Sequence, residues 1–172
     1  MSLGNSQKNK YKVFGLTFES DISLNEFQKS TDRVDFTVKE IESSVSFKDK
    51  ISSTLSFKDA EIHEKNFYCR ISDGNKIEYK FKNCSNPNRI IAKIFHQPLA
   101  YMLFQRNFFI LHGSAFSFRG KCIVLCGLSG SGKSESIKEL SKDFKFISDD
   151  IVGVKSVNEK SICYPGLPFI CS

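Results

Sequence analysis

The sequence predicts an α/β (α+β) chain in two parts. Residues 1–88 read as a β-rich N-terminal domain, and residues 89–172 as a phosphate-loop domain built on a mixed β-sheet. Three observations carry this. Gly127-Leu128-Ser129-Gly130-Ser131-Gly132-Lys133-Ser134 fits G-x-x-x-x-G-K-[ST] at every fixed position, after the apolar run Cys122–Cys126 and before a helical pattern. Short β-branched and aromatic runs separated by turn residues fill the N-terminal half. Arg119-Gly120 is a tight turn into the run that feeds the loop, so that strand should have an antiparallel neighbour in an otherwise crossover-connected sheet.

Residues 1–10 are polar, without periodicity, and read as unstructured. Tyr11–Phe18 reads as one strand, Leu24–Lys29 as a short helical turn, and Asp35–Ile41 alternates with period two as a half-buried strand should. Ser46-Phe47-Lys48-Asp49 recurs as Ser56-Phe57-Lys58-Asp59, which is chance or a pair of similar strands. His63 is expected on an exposed strand position. Asn66–Ser72 and Lys76–Phe81 flank Asp73-Gly74-Asn75, a strong hairpin signal. Asn83–Asn88 is loop by composition and marks the boundary. Arg89–His96 suits a strand or a short helix equally, whereas Pro98 fits the first turn of a helix over Leu99–Arg106. Phe108–Phe118 is strand material, a helix runs from the loop to about Lys142, and Lys145–Ser148 is a strand ending in Asp149-Asp150.

The loop's chemistry follows from its position. Glycines between a strand and a helix let backbone N–H groups turn inward around an anion, and the helix N-terminus adds unpaired donors and a positive dipole end. Lys133 then supplies a point charge for the β/γ-phosphates, and Ser134 a hydroxyl for Mg²⁺. Two carboxylates one helix further on, Asp149 and Asp150, are placed to divide the remaining work: one binds Mg²⁺, the other takes a proton from an attacking hydroxyl.

The net charge of +6 suits a polyphosphate ligand or an acidic partner, but no basic run is interleaved with aromatics, so nucleic-acid binding is not expected. No apolar run reaches the roughly 20 residues that span a bilayer, and the first residues lack the apolar core of a signal peptide, so a cytoplasmic chain without a membrane partner is expected. The six cysteines form no C-x-x-C pair and are expected to be free thiols, with Cys122 and Cys126 packed as small apolar groups on one strand face.

Taken together, Leu111-His112-Gly113, the loop ending Gly132-Lys133-Ser134-Glu135, and Ile147-Ser148-Asp149-Asp150 resemble the C-terminal catalytic domain of HPr kinase/phosphorylase and related serine kinases. That family is similar in fold to phosphoenolpyruvate carboxykinase, and Tyr164-Pro165-Gly166-Leu167-Pro168 is similar to the segment that follows its aspartate pair. The resemblance covers residues 97–168 and makes His112 the active-site histidine, Lys133 the phosphate-binding lysine, Ser134 with Asp150 the metal ligands, and the Asp149/Asp150 pair the holder of the base. It implies ATP and Mg²⁺ as cofactors and a protein or peptide with an acceptor serine as substrate.

The family's domain continues beyond the point where this sequence ends, with a further acidic ligand and an arginine. The expectation is therefore a fragment, a relic, or a pocket finished by another chain, whether a second copy or a complementing half of a split kinase. The alternative to a serine kinase is a catalytically inactive nucleotide-binding module. An ABC- or GTPase-like hydrolase is disfavoured, because the sequence has no LSGGQ-like or N-K-x-D motif.

Overall fold

The computed structural model describes residues 9–48, 51–84, 86–127 and 144–167. Seven strands and two helices precede the second sheet. They are β1 (Asn9–Val13), β2 (Leu16–Ser20), β3 (Phe36–Glu40), β4 (Ser52–Leu55), β5 (Asp59–His63), β6 (Phe67–Ser72), β7 (Lys76–Phe81), α1 (Pro87–Ile94) and α2 (Gln97–Gln105). The strands form one sheet in the order β1-β2-β3-β7-β6-β5-β4, with β2–β3 and β3–β7 parallel and the other neighbours antiparallel. The molecule is thus α+β and mostly sheet.

Several local expectations are corrected. The run Tyr11–Phe18 is a hairpin, because Phe14 and Gly15 both adopt positive φ (50° and 71°) and reverse the chain. Leu24–Lys29 makes a turn, closed by Phe27 N–H donating to the Leu24 carbonyl at 3.3 Å, without becoming a helix. The second Ser-Phe-Lys-Asp is the turn between β4 and β5, where the Ser56 hydroxyl accepts from Asp59 N–H at 3.0 Å. His63 is only 12% exposed in its side chain, since its Nδ1 meets the Ser46 carbonyl and its Nε2 meets Glu61. The expected hairpin at Asp73-Gly74 forms, with both residues at positive φ.

The open question over residues 89–96 resolves to helix. Asn86 caps α1 by accepting Asn88 N–H at 3.0 Å, Pro87 starts it where a missing N–H costs nothing, and Ile91 and Ile94 line its buried side. Pro98 sits in the first turn of α2, as expected. Both helices pack on the first sheet. At the end of α2, Gln105 Oε1 accepts from Gly74 N–H at 2.8 Å and Arg106 donates to the Gly74 carbonyl at 2.8 Å, which ties the helix to the β6–β7 turn.

The second sheet contains β8 (Phe109–Phe118), β9 (Lys121–Cys126), β10 (Lys145–Ser148), β11 (Ile151–Val157) and β12 (Lys160–Cys163). Arg119 and Gly120, at φ 48° and 75°, make the β8–β9 hairpin that the sequence predicts. Every pairing described in this sheet is antiparallel, so the mixed sheet is the first one and not, among the described residues, the one that leads to the loop. The expected packing of Cys122 and Cys126 as small apolar groups is corrected in β9. The strand's only described partner is β8, and Cys122, Ile123 and Cys126 are exposed. The five described cysteines are free thiols.

Residues 164–167 close the structure. Pro165 O accepts from Phe14 N–H at 2.8 Å, and Gly166 N–H donates to Ile147 O at 3.0 Å. A Cβ on Gly15 would stand 2.6 Å from the Tyr164 ring, and one on Gly166 would overlap the Ser148 hydroxyl. One hydrophobic core therefore runs from Tyr11 and Phe14 through Leu99 and Met102 to Ile151 and Leu167. No helix among the described residues is long and apolar enough to cross a membrane.

Candidate functional site

Of the expected phosphate loop, only Gly127 falls among the described residues. Leu128, Ser129, Gly130, Ser131, Gly132, Lys133 and Ser134, with the helix expected after them, lie outside these residues. The described part of the site is the surround: the end of β9, the middle of β8, and the junction of β10 with β11.

Strands β10 and β11 run one after the other along β8. An extra residue near Ile147 shifts the register, after which Ser148 faces Ala115 and Ile151 faces His112. That register sets Asp149 across from Ser114 and Asp150 across from Gly113. Regular pairing breaks at these two acids. Ile151 N–H donates to the Asp149 carbonyl at 2.8 Å across Asp150, whose φ is +67°. An i to i+2 hydrogen bond around a positive φ is the rarer, strained form of γ-turn, costing on the order of 1–3 kcal/mol. The Ser148 hydroxyl spans the same turn, donating to Ile151 O at 2.5 Å.

The two carboxylates occupy different surroundings. Asp149 is 4% exposed, and its Oδ1 accepts from the fully buried Ser114 hydroxyl at 2.5 Å. Asp150 lies between two imidazoles, with Oδ2 2.9 Å from His96 Nε2 and Oδ1 3.0 Å from His112 Nδ1. His112 Nδ1 also lies 3.1 Å from the Asp150 carbonyl. An ionised carboxylate only accepts, so each imidazole presents an N–H to it, which fixes the tautomers as Nδ1–H for His112 and Nε2–H for His96 when neutral.

His112, Asp149 and Asp150 are thus brought together as the sequence suggests. His96 is the member that sequence reading missed. It lies at the N-cap of α2, 54 residues before its partner, and a single histidine between two helical segments carries no signal of a distant carboxylate.

Gly113 links this group to the loop. It pairs with Cys126, the last residue of β9, on one side, and donates its N–H to Asp150 O at 3.3 Å on the other. Two strand spacings, about 9–10 Å, therefore separate the start of the loop from the aspartates. A Cβ at position 113 would stand 2.5 Å from Leu125 O, so only glycine lets the strands approach this closely.

No cluster of three or more His, Cys, Asp or Glu among the described residues is arranged to hold a metal. Each Asp150 oxygen faces one imidazole nitrogen and keeps a further lone pair, so these contacts orient the carboxylate without using up its acceptor capacity.

Searches against family models, curated proteins and solved structures return no match. The assignment of function therefore rests on the residues themselves.

Proposed function

We propose that the chain binds Mg·ATP at Gly127–Ser134 and transfers the γ-phosphoryl group to a serine hydroxyl of a protein or peptide. The observation that carries this reading is the shared neighbour: Gly113 pairs in register with Cys126, the residue before the loop, and donates its N–H to Asp150 O. A phosphate held by the loop would then lie within one or two side-chain lengths of the carboxylates. Phosphoryl transfer is mostly positioning and charge stabilisation, and this is the arrangement it needs.

In this reading, Lys133 and the loop amides hold the β/γ-phosphates. Ser134, together with the phosphates, would hold Mg²⁺, which when bound would supply charge neutralisation. Asp150 is the better placed of the two aspartates to receive the serine proton, since Asp149 is more deeply buried and commits Oδ1 to Ser114. His112 and His96 orient that carboxylate. Should Asp150 ligate the metal instead, Asp149 is left as the base.

One observation favours a second reading, a nucleotide-binding module without turnover. Both oxygens of Asp150 already accept hydrogen bonds from imidazoles, which favours the ionised carboxylate and weakens it as a proton acceptor. Completion of the pocket by a second copy or a complementing chain would reconcile the two.

Calorimetry of Mg·ATP binding with the wild type and Lys133→Ala tests the shared core of both readings. Binding should weaken by at least tenfold in the variant, and equal affinity or none in either protein would reject both. Labelled ATP with serine peptides then separates them: transfer abolished by Asp150→Asn supports the kinase, and tight binding with no transfer supports the module.

A further inference from the structure

The two edges of the seven-stranded sheet are built differently. Along β1, the segment 28–30 occupies the edge: Lys12 N–H donates to Gln28 O at 2.8 Å, and Ser30 N–H donates to Lys10 O at 3.0 Å. Lys10 and Lys12 add charge, and Lys12 pairs with Asp32 at 2.8 Å. Lysines and a covering segment are standard protection against strand addition.

Among the described residues, the β4 edge has neither. From Ile51 to Phe57 the chain carries no charge, and β5 is the only strand paired with β4 among the described residues. Ile51 is 78% exposed, Leu55 46% and Phe57 60%, and residues 51, 53 and 55 fall on one face by the period of two. On the other face, the Ser52 hydroxyl is buried with no hydrogen-bond partner.

We infer that β4 is a self-association edge, pairing antiparallel with β4 of a second copy across a twofold axis at Ser53. The register supports a copy of this chain over an unrelated strand. With the axis at Ser53, each Ile51 faces the other copy's Leu55, so two exposed apolar side chains meet twice and no like charges are opposed. On the opposite face each Ser52 faces the other copy's Thr54, whose hydroxyl is the partner that Ser52 lacks. Moving the axis one residue, to Thr54, sets Leu55 against Ser53 and Ile51 against Phe57, which lies in the β4–β5 turn beyond the paired strand, so the match within β4 is lost. Two seven-stranded sheets become one continuous sheet. A short strand buries little area, so the dimer is at the weak end of specific interfaces, with dissociation in the micromolar range.

Cysteine substitution in the full chain reads the register directly. Directly opposed antiparallel residues have Cα atoms about 4.5–5.5 Å apart, within disulfide reach, whereas residues offset by two are about 7–8 Å apart. Mild oxidation of Ser53→Cys should give a dimer with a 53–53 linkage, identified by peptide mass spectrometry, while Thr54→Cys and the wild type should not link at these positions. Sedimentation of Ser53→Lys, which opposes two charges at the axis of an exposed strand, should show dissociation at least about tenfold easier at unchanged thermal stability. A wild type that stays monomeric to high micromolar concentration would overturn the inference. So would equal linkage of Ser53→Cys and Thr54→Cys, or a Ser53→Lys variant that associates as the wild type does.

Discussion

Beneath the seven-stranded sheet, the fully buried side chains are rings and branched aliphatics. Phe18 alone lies within ring-contact distance of Tyr11, Phe27, Phe36 and Phe95. Around the β10–β11 junction of the other sheet, the buried side chains include the polar Ser114, Ser148 and Asp149 beside Ala115 and Ile151, and the neighbouring backbone holds a strained turn. The first region gains free energy from apolar area removed from water. The second spends part of that gain on polar groups whose burial is tolerable only while each keeps its hydrogen bond. A molecule divided this way should respond differently to substitution in its two regions.

The largest expected effect is in the aromatic region. Phe18→Ala removes a fully buried ring and should cost about 3–5 kcal/mol of stability, measured by urea denaturation, with nucleotide affinity of the remaining folded fraction unchanged. A loss of affinity in the folded fraction would mean the two regions are not separable. Next is Ser114→Ala, which leaves Asp149 without its buried donor and should cost about 1–3 kcal/mol by the same measurement. A cost near zero would mean that Asp149 finds another donor, and the polar region would then be less tightly specified than the comparison implies.

The smallest effect at neutral pH concerns Tyr79, whose hydroxyl donates to Asp21 Oδ1 at 3.1 Å. Burial and the Asp21 charge push its pKa up from 10.0. Tyr68 is pushed up to about 12 by burial and then by Glu61, and Cys163 from 9.0 to about 12 by burial and then by Cys122. Each is an acid whose neutral form the fold favours. Their contributions are whole below the unfolded values near 9 and 10 and are lost as pH rises through the folded ones. Stability should therefore be level from neutral pH to about 9 and fall toward 12. Tyr79→Phe should cost about 1 kcal/mol at pH 7 and soften that alkaline fall, as followed by thermal melts.

What the sequence made legible was local. The β6–β7 and β8–β9 hairpins follow from Asp73-Gly74 and Arg119-Gly120, residues that tolerate or demand positive φ. The start of α2 follows from Pro98. The turn at Phe14-Gly15 was hidden because a bulky aromatic rarely takes φ near 50°, and here Pro165 and the surrounding core hold it there. The β11–β12 hairpin was not foreseen, although Asn158 at φ 49° was its available signal. Of the site, the motif-bearing His112, Asp149 and Asp150 were legible. Ser114 and His96 were not, because their roles exist only through register and through a contact between distant segments.

The bond from Phe14 N–H to Pro165 O has a consequence for how the molecule is made. Chain elongation releases the N-terminal end first, at roughly 5–20 residues per second. The first hairpin must then wait on the order of ten to thirty seconds for the segment that covers its turn. During that interval the Phe14 ring, destined for a fully buried site, has no Gly153 or Gly166 backbone to rest against. Nascent chains paused between these two points are the form of this protein that a chaperone would meet.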